Sequence, residues 1–426
     1  MSFLLGAENK IRFWISISLV NLALVAFLGL VLRSKILFSI PFLDFKHILH
    51  AHSHFAFGGW VALALLALLT HYLLPAGLRT AKIFRYTIAG TLVTAYGMLA
   101  GFIWQGYAFL SILFSTLFIL VSYVFAFVFI REIRRAALSR QVKMLAASAV
   151  LYMVLSSVGP FTLAYLMATR SQNLYLYKDA IYTYLHLQYN GFFTLSVFAL
   201  LLHYLDLQGT AIRWFGRLLN ASVLPSLFLS YLWHYPGTFT AAMAIAGSVL
   251  TAACLVCFLY ALPLLQTAAA RVYRPAKTIA SIALTAFALK MLFQAVLIIP
   301  SLGERVFSNR PVIIGFLHLV LLGFVSVFLL AYFIERGLLS YKKAAVAVWT
   351  FIIGIVLNEL VLFTQGLGFM LLFSSSAINW LLLAAACCLF AGAALIAYRC
   401  MTRPFWLQTG SSVDNNRIFS FNNKIN

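Results

Sequence analysis

The chemistry-bearing residues of this sequence are its nine histidines in 426 residues. The stretch KHILHAHSHFAFGGW carries His50, His52 and His54; DAIYTYLHLQYNGFF carries His186; LSYLWHYPGTF carries His234; PVIIGFLHLVLLGF carries His318. These rings lie in or beside strongly apolar runs, where an ionisable group is costly unless it has a partner. Neutral imidazole is the commonest protein ligand for haem iron and for copper, because one ring nitrogen binds metal while the other donates a hydrogen bond. A single membrane histidine is more often a hydrogen bonder between helices, and His47, His71 and His203, at span ends or in a loop, are left in that role. His50 and His54 share one face of a helix.

The elements that position these rings are set by composition. The chain is 64% hydrophobic and 9% charged, with a mean hydropathy of +0.99, whereas a soluble domain has roughly 25% charged residues. A bilayer core needs about 20 apolar residues per helix, and such runs follow one another with short loops between them. The pattern predicts an all-α, polytopic membrane protein of about twelve helices, one domain over residues 1–400, with a short polar tail at 401–426. The net charge of +21 lies between apolar runs rather than on one folded face, so it marks membrane topology and gives no reason to expect nucleic acid.

The predicted spans run from Ile11 to Arg33, Ile48 to Leu74, Phe84 to Tyr107, Ala108 to Ile130, Met144 to Ala168 and Ile181 to Leu205. They continue from Leu218 to Tyr235, Phe239 to Leu265, Thr278 to Pro300, Val312 to Ile334, Ala344 to Gly366 and Trp380 to Tyr398. With the N-terminus inside, Lys and Arg concentrate in the inner loops and tails, so both termini are expected in the cytoplasm of a multi-pass inner-membrane protein. Even-numbered spans then begin outside, and His50, His52, His54, His186, His234 and His318 fall in one outer layer on four helices. Gly58, Gly59, Gly191 and Gly323 would let a flat macrocycle or a neighbouring helix approach. Lys290, Asn358 and Glu359, with Gln188 and Asn190 beside His186, are further intramembrane polar residues; Lys290 and Glu359 are read either as a proton path or as a mutual pair. The five cysteines are read as small packing residues, and no CxxCH haem-attachment motif occurs.

Twelve helices with histidines on the second, sixth, seventh and tenth resemble the catalytic subunit of the haem-copper oxidase superfamily, whose metal ligands sit on those four helices. The histidines before FAFGGW look like the low-spin haem ligand region, particularly of the cbb3-type oxidases. His186 to Phe192 looks like the corresponding stretch of nitric oxide reductases, with Asn190 where that family has a glutamate. The resemblance implies b-type haem held by the cluster His50, His52 and His54, with His50 or His54 preferred, together with His318. It further implies a second metal, copper or iron, at His186 and His234, and redox or oxygen and nitric oxide chemistry as a terminal-oxidase-like or reductase-like oxidoreductase.

Two of the six expected ligands are missing: Trp233 and Phe316 stand where the family has histidines, and Asn190 stands where some oxidases have a tyrosine. The HAH at His50 to His52, followed by Phe57 and Gly58, is also similar to the NnrS family of haem- and copper-binding membrane proteins that protect against nitrosative stress. A secondary transporter is the third reading, since twelve helices is also their common count, but no repeated halves or midplane helix breaks support it. Implied partners are the lipid bilayer and an electron donor, either another subunit, a cytochrome or quinol.

Overall fold

Lipid offers backbone groups no hydrogen-bond partner, so a spanning chain must satisfy them within each segment, which only helices and closed barrels do. The computed structural model describes residues 2–370 and 376–402, and all its regular structure is helical. The predicted tail from residue 403 onward lies outside the described residues. The major helices are α1 (Glu8–Leu37), α2 (Phe45–Leu73), α3 (Lys82–Gln105), α4 (Phe109–Arg135), α5 (Arg140–Ala168) and α6 (Leu174–Leu205). They continue as α7 (Thr210–Tyr231), α8 (Thr238–Arg271), α9 (Arg274–Val296), α10 (Arg310–Glu335), α11 (Tyr341–Gly366) and α12 (Ser376–Met401).

Eleven of these are long and apolar enough to cross a membrane. The helix left out is α7, whose Arg213, Arg217 and Asn220 dilute its apolar run. Each helix packs on its neighbour in sequence, and α12 returns onto α1, closing a ring. Inside the ring stand α2 and α6, whose apolar cores are 94% and 89% buried, against 28% for α4 and 33% for α8 on the outside. The second half of α10 joins them: Phe324 to Ile334 are all buried. There Trp60 Nε1 of α2 donates to Ser326 Oγ of α10 at 2.8 Å, and Phe198 of α6 packs against Phe287 of α9 with ring centroids 4.7 Å apart.

The start of α1 and the end of α12 lie at one end of the bundle, where Cys400 Sγ sits 3.3 Å from Ser16 Oγ and Glu8 lies 3.4 Å from His71 Nε2. This end is sealed. The Arg336 guanidinium lies 4.4 Å from the Tyr72 ring and 5.3 Å from the Tyr204 ring, Tyr204 donates to Glu335, and Glu335 also accepts from the Tyr273 amide at 2.9 Å. His71 and His203 belong to this cluster, as span-end histidines.

The opposite end is looser, and all six candidate histidines are there. No residue of Arg310–His318, the first half of α10, is buried. His52 and His54 of α2 and Tyr182, Tyr184 and Tyr189 of α6 keep accessible surface although they sit on the two central helices. The end where α2 enters is fixed by Asp44, whose carboxylate accepts from the His47 amide at 3.0 Å, a helix-capping bond that holds its pKa below the usual carboxylate value. A lowered carboxylate pKa gives stability that is present above the unfolded pKa of about 4 and is lost as pH falls through the folded one. Fast exchange of the His47 amide is therefore expected in acid and in Asp44→Ala, but not in Asp44→Asn, which keeps an acceptor oxygen.

Candidate functional site

The three central helices share a local irregularity. A π-helical segment begins directly after or within two residues of a histidine in each: Ala56–Ala62 after His54, Leu187–Phe193 after His186, and Leu319–Ser326 after His318. Such π segments are uncommon and occur often at functional sites, and each widens the backbone turn and frees a carbonyl. In α6 the Thr194 hydroxyl takes up Tyr189 O at 2.6 Å, and in α10 the Ser326 hydroxyl takes up Leu321 O at 2.7 Å. The matching position of α2 is Ala62, which has no hydroxyl; in this segment a different carbonyl, Gly59 O, accepts from Asn21 Nδ2 of α1 at 2.7 Å. Asn21 Oδ1 in turn accepts from Tyr96 at 2.7 Å. Asn21→Ala takes a partner from the buried Gly59 carbonyl and from the Tyr96 hydroxyl and is expected to cost about 1–3 kcal/mol, measurable as a lowered unfolding midpoint in detergent.

The sequence carries the signal for this arrangement, although it is invisible to a search for repeated halves. His54-x4-Gly59-Trp60, His186-x4-Gly191-Phe192 and His318-x4-Gly323-Phe324 align without gaps. The alignment continues to His71-Tyr72, His203-Tyr204 and Glu335-Arg336 at the sealed end. Three equivalent helices thus bring three histidines to one level. The glycines serve packing: a Cβ on Gly58 would meet Phe118 at 3.0 Å, and one on Gly191 would overlap Tyr152. The space over these two is filled by neighbouring helices.

The structure separates the histidines of α2. His50 and His54 face α3: His54 stacks on Phe102 with centroids 4.4 Å apart, His54 Nε2 lies 3.0 Å from the Tyr107 hydroxyl, and His50 meets the Tyr107 ring at 4.6 Å. Burial pushes the Tyr107 phenol up to about 12, so it keeps its proton at neutral pH and can donate to His54. His52 points the other way, towards α1, with Nδ1 3.0 Å from Val25 O. The ring lies beside Gly29, where a Cβ would meet it at 3.3 Å. His52, the Arg33 guanidinium and His318 of α10 are close enough to act on one another electrostatically. On the far side of His318, Nδ1 is 3.3 Å from the Asn358 amide of α11.

His186 has both ring nitrogens engaged. Nε2 is 2.8 Å from Val223 O and 3.3 Å from Ser226 Oγ, both on α7, and Nδ1 is 3.1 Å from Asn190 Nδ2. His234, just beyond α7, places Nδ1 2.7 Å from Asp179 Oδ1. Asp179 precedes His186 by seven residues on α6, which separates the two imidazoles by roughly 10 Å along the helix. The structure therefore does not bring His186 and His234 onto one ion, and among the described residues no group of three or more His, Cys, Asp and Glu side chains is placed to hold one.

Lys290 and Glu359 do not pair with each other. Lys290, 2% exposed, has its Nζ 3.4 Å from Met291 Sδ, while Glu359 accepts from Asn358 Nδ2 at 3.1 Å. Gln188 donates to Ser156 at 2.8 Å.

The site is thus the less buried end of the bundle, with His52 of α2 and His318 of α10 within electrostatic range of each other and His186 and His234 held elsewhere by protein partners. No protein-family model matches the chain, and no curated protein matches it.

Proposed function

We propose that this chain is a haem-binding membrane protein, built like the catalytic subunit of the haem-copper oxidases, in which His52 and His318 are the axial ligands of one b-type haem. The observation that supports this reading is that two imidazoles from helices far apart in sequence lie within electrostatic range of one another at the less buried end of the bundle. A ligand imidazole needs one nitrogen free and the other hydrogen-bonded to fix its orientation. His52 meets this through Val25 O, leaving Nε2 for metal; His318 would meet it with the Asn358 amide turned so that its oxygen accepts from Nδ1, at the cost of the Asn358–Glu359 hydrogen bond. Arg33, with no carboxylate partner among the described residues, supplies the positive charge that a haem propionate requires.

Haem bound in this way supplies a one-electron couple. With two imidazoles to hold the iron, the haem would have no protein-free side for a gas, so carrying electrons fits this pair of histidines better than binding a gas. In this reading α7 is the twelfth span, both termini are cytoplasmic, and the open end faces outward from the inner membrane. Electrons come from quinol or a partner subunit.

A second reading, a protective role against nitric oxide like that of the NnrS family, is supported by His186. With both nitrogens engaged, it leaves a second metal without the ligand that turnover needs. A second metal at His186 and His234, copper or iron, would require both rings to give up their protein partners.

The test is purification after expression with ample haem. Stoichiometric haem with a low-spin, bis-imidazole spectrum is expected, and protein with no more than trace haem would overturn the proposal. Brisk oxygen or nitric oxide consumption with an electron donor would favour the oxidoreductase over the protective role.

A further inference from the structure

At the sealed end, where α1, the end of α2 and the start of α3 meet, the surface folds into a cleft of about 350 Å3. That is within the range of small-molecule sites, roughly 300–1,000 Å3. Its depth and chemistry are those of a membrane interface. The wall is apolar, made by Ile11, Trp14, Ala67, Phe84 and Ile88, while Lys10, Arg79 and Arg85 stand at its rim. The wall residues lie within the first two turns of α1 and α3 and the last two of α2, so the cleft reaches about 10 Å into the apolar layer.

The three rim cations have no carboxylate to neutralise them among the described residues. Arg79 Nε reaches only Leu74 O at 3.4 Å, and the Arg85 guanidinium lies over the Tyr86 ring at 5.2 Å. Glu8, the acid nearby, is turned to His71, 3.4 Å away. A concave apolar wall with unneutralised cations at the headgroup level matches one kind of molecule, an amphiphile with an anionic head.

We propose that this cleft binds an anionic phospholipid, its phosphate held by Lys10, Arg79 and Arg85 and the upper part of one acyl chain lying against Trp14, Phe84 and Ile88. The lipid fills the seam between α1, α2 and α3 beside the cluster of Glu8, His71 and Tyr72 that closes this end. The site is independent of any haem at the other end.

The test uses the full-length protein in nanodiscs of phosphatidylcholine with a minor fraction of phosphatidylglycerol, followed by measurement of the lipid retained after transfer to detergent. At least about tenfold enrichment of phosphatidylglycerol is expected. The variant Lys10→Gln/Arg79→Gln/Arg85→Gln should bring the two lipids to parity, while Lys342→Gln/Lys343→Gln, at the start of α11, should not. Equal retention of both lipids by the natural protein overturns the proposal. So does equal loss of enrichment in both variants, which would mean diffuse attraction, and so does release of the lipid by inorganic phosphate alone, which would mean a free-anion site.

A second measurement needs no change at the rim. Phosphatidylglycerol brominated on its upper acyl chain should quench the fluorescence contributed by Trp14, identified by its loss in Trp14→Phe. Brominated phosphatidylcholine should quench it much less, and equal quenching by the two again overturns the proposal.

Discussion

His318→Ala is expected to abolish the low-spin haem spectrum, and His52→Ala to do the same, while His50→Ala and His54→Ala retain it. The asymmetry follows from which way the rings of α2 face. His50 meets the Tyr107 ring just beyond α3 edge-on and His54 stacks on Phe102 of α3, whereas His52 lies on the side of Arg33 and His318. In the proposed site, losing either histidine would remove a metal bond, and His50 and His54 face away towards Phe102 and Tyr107. The loss should exceed the roughly 10- to 100-fold drop typical of removing a ligand's hydrogen-bond partner, which is the effect expected for Asn358→Leu. The measurement is haem stoichiometry and the reduced-minus-oxidised spectrum of each purified variant. Haem loss in His54→Ala with an unchanged His52→Ala would reassign the ligand to the α3 side. His186→Ala and His234→Ala should spare the spectrum, because those rings are tied to α7 and to Asp179.

Gly247→Ala is expected to destabilise the protein by about 1–3 kcal/mol, the cost typical of overpacking a tight interior. Gly247 is where α8 crosses α7. A Cβ there would stand 2.5 Å from the Pro225 carbonyl carbon and from Ser226 Cα, and would overlap the Ser226 amide nitrogen. These are backbone atoms, so no side-chain rotation relieves the contact and α7 itself must shift. The same turn of α7 holds His186 through Val223 O and Ser226 Oγ, so the shift should also loosen that ring. Unfolding in detergent reports the stability loss. Gly323→Ala, whose new Cβ would meet its nearest neighbour at 3.4 Å, an ordinary contact, should cost much less; equal losses would mean that glycine content rather than the crossing is responsible.

Much of the architecture was legible in the residues. Apolar length and the Lys and Arg between runs place helices near their observed positions, because lipid permits a spanning chain few other shapes. The exception is instructive. The seventh span was read from Leu218, but α7 begins at Thr210 and carries Arg213 and Arg217 on the same helix, so hydropathy under-reports a segment that packs along α8. The ungapped match of His54-x4-Gly59, His186-x4-Gly191 and His318-x4-Gly323 was also in the sequence, but a search for two halves passes over three equivalent helices.

The site itself was only half legible. Sequence fixes the level of a histidine along a helix, since rise per residue is constant. It therefore puts His50, His52, His54, His186, His234 and His318 at one end of the molecule. Direction around the helix axis is set by contacts with other helices, which spacing alone does not specify. That is why the sequence alone could not show that His50 and His54 face Phe102 and Tyr107 while His52 faces Val25, and why Lys290 and Glu359 prove to have separate partners. The chain's own chemistry thus determined that this is a membrane-spanning bundle with imidazoles gathered at one depth. Which way each imidazole faces, and which are already held by Val223, Asn190 and Asp179, was decided by how the helices pack on one another.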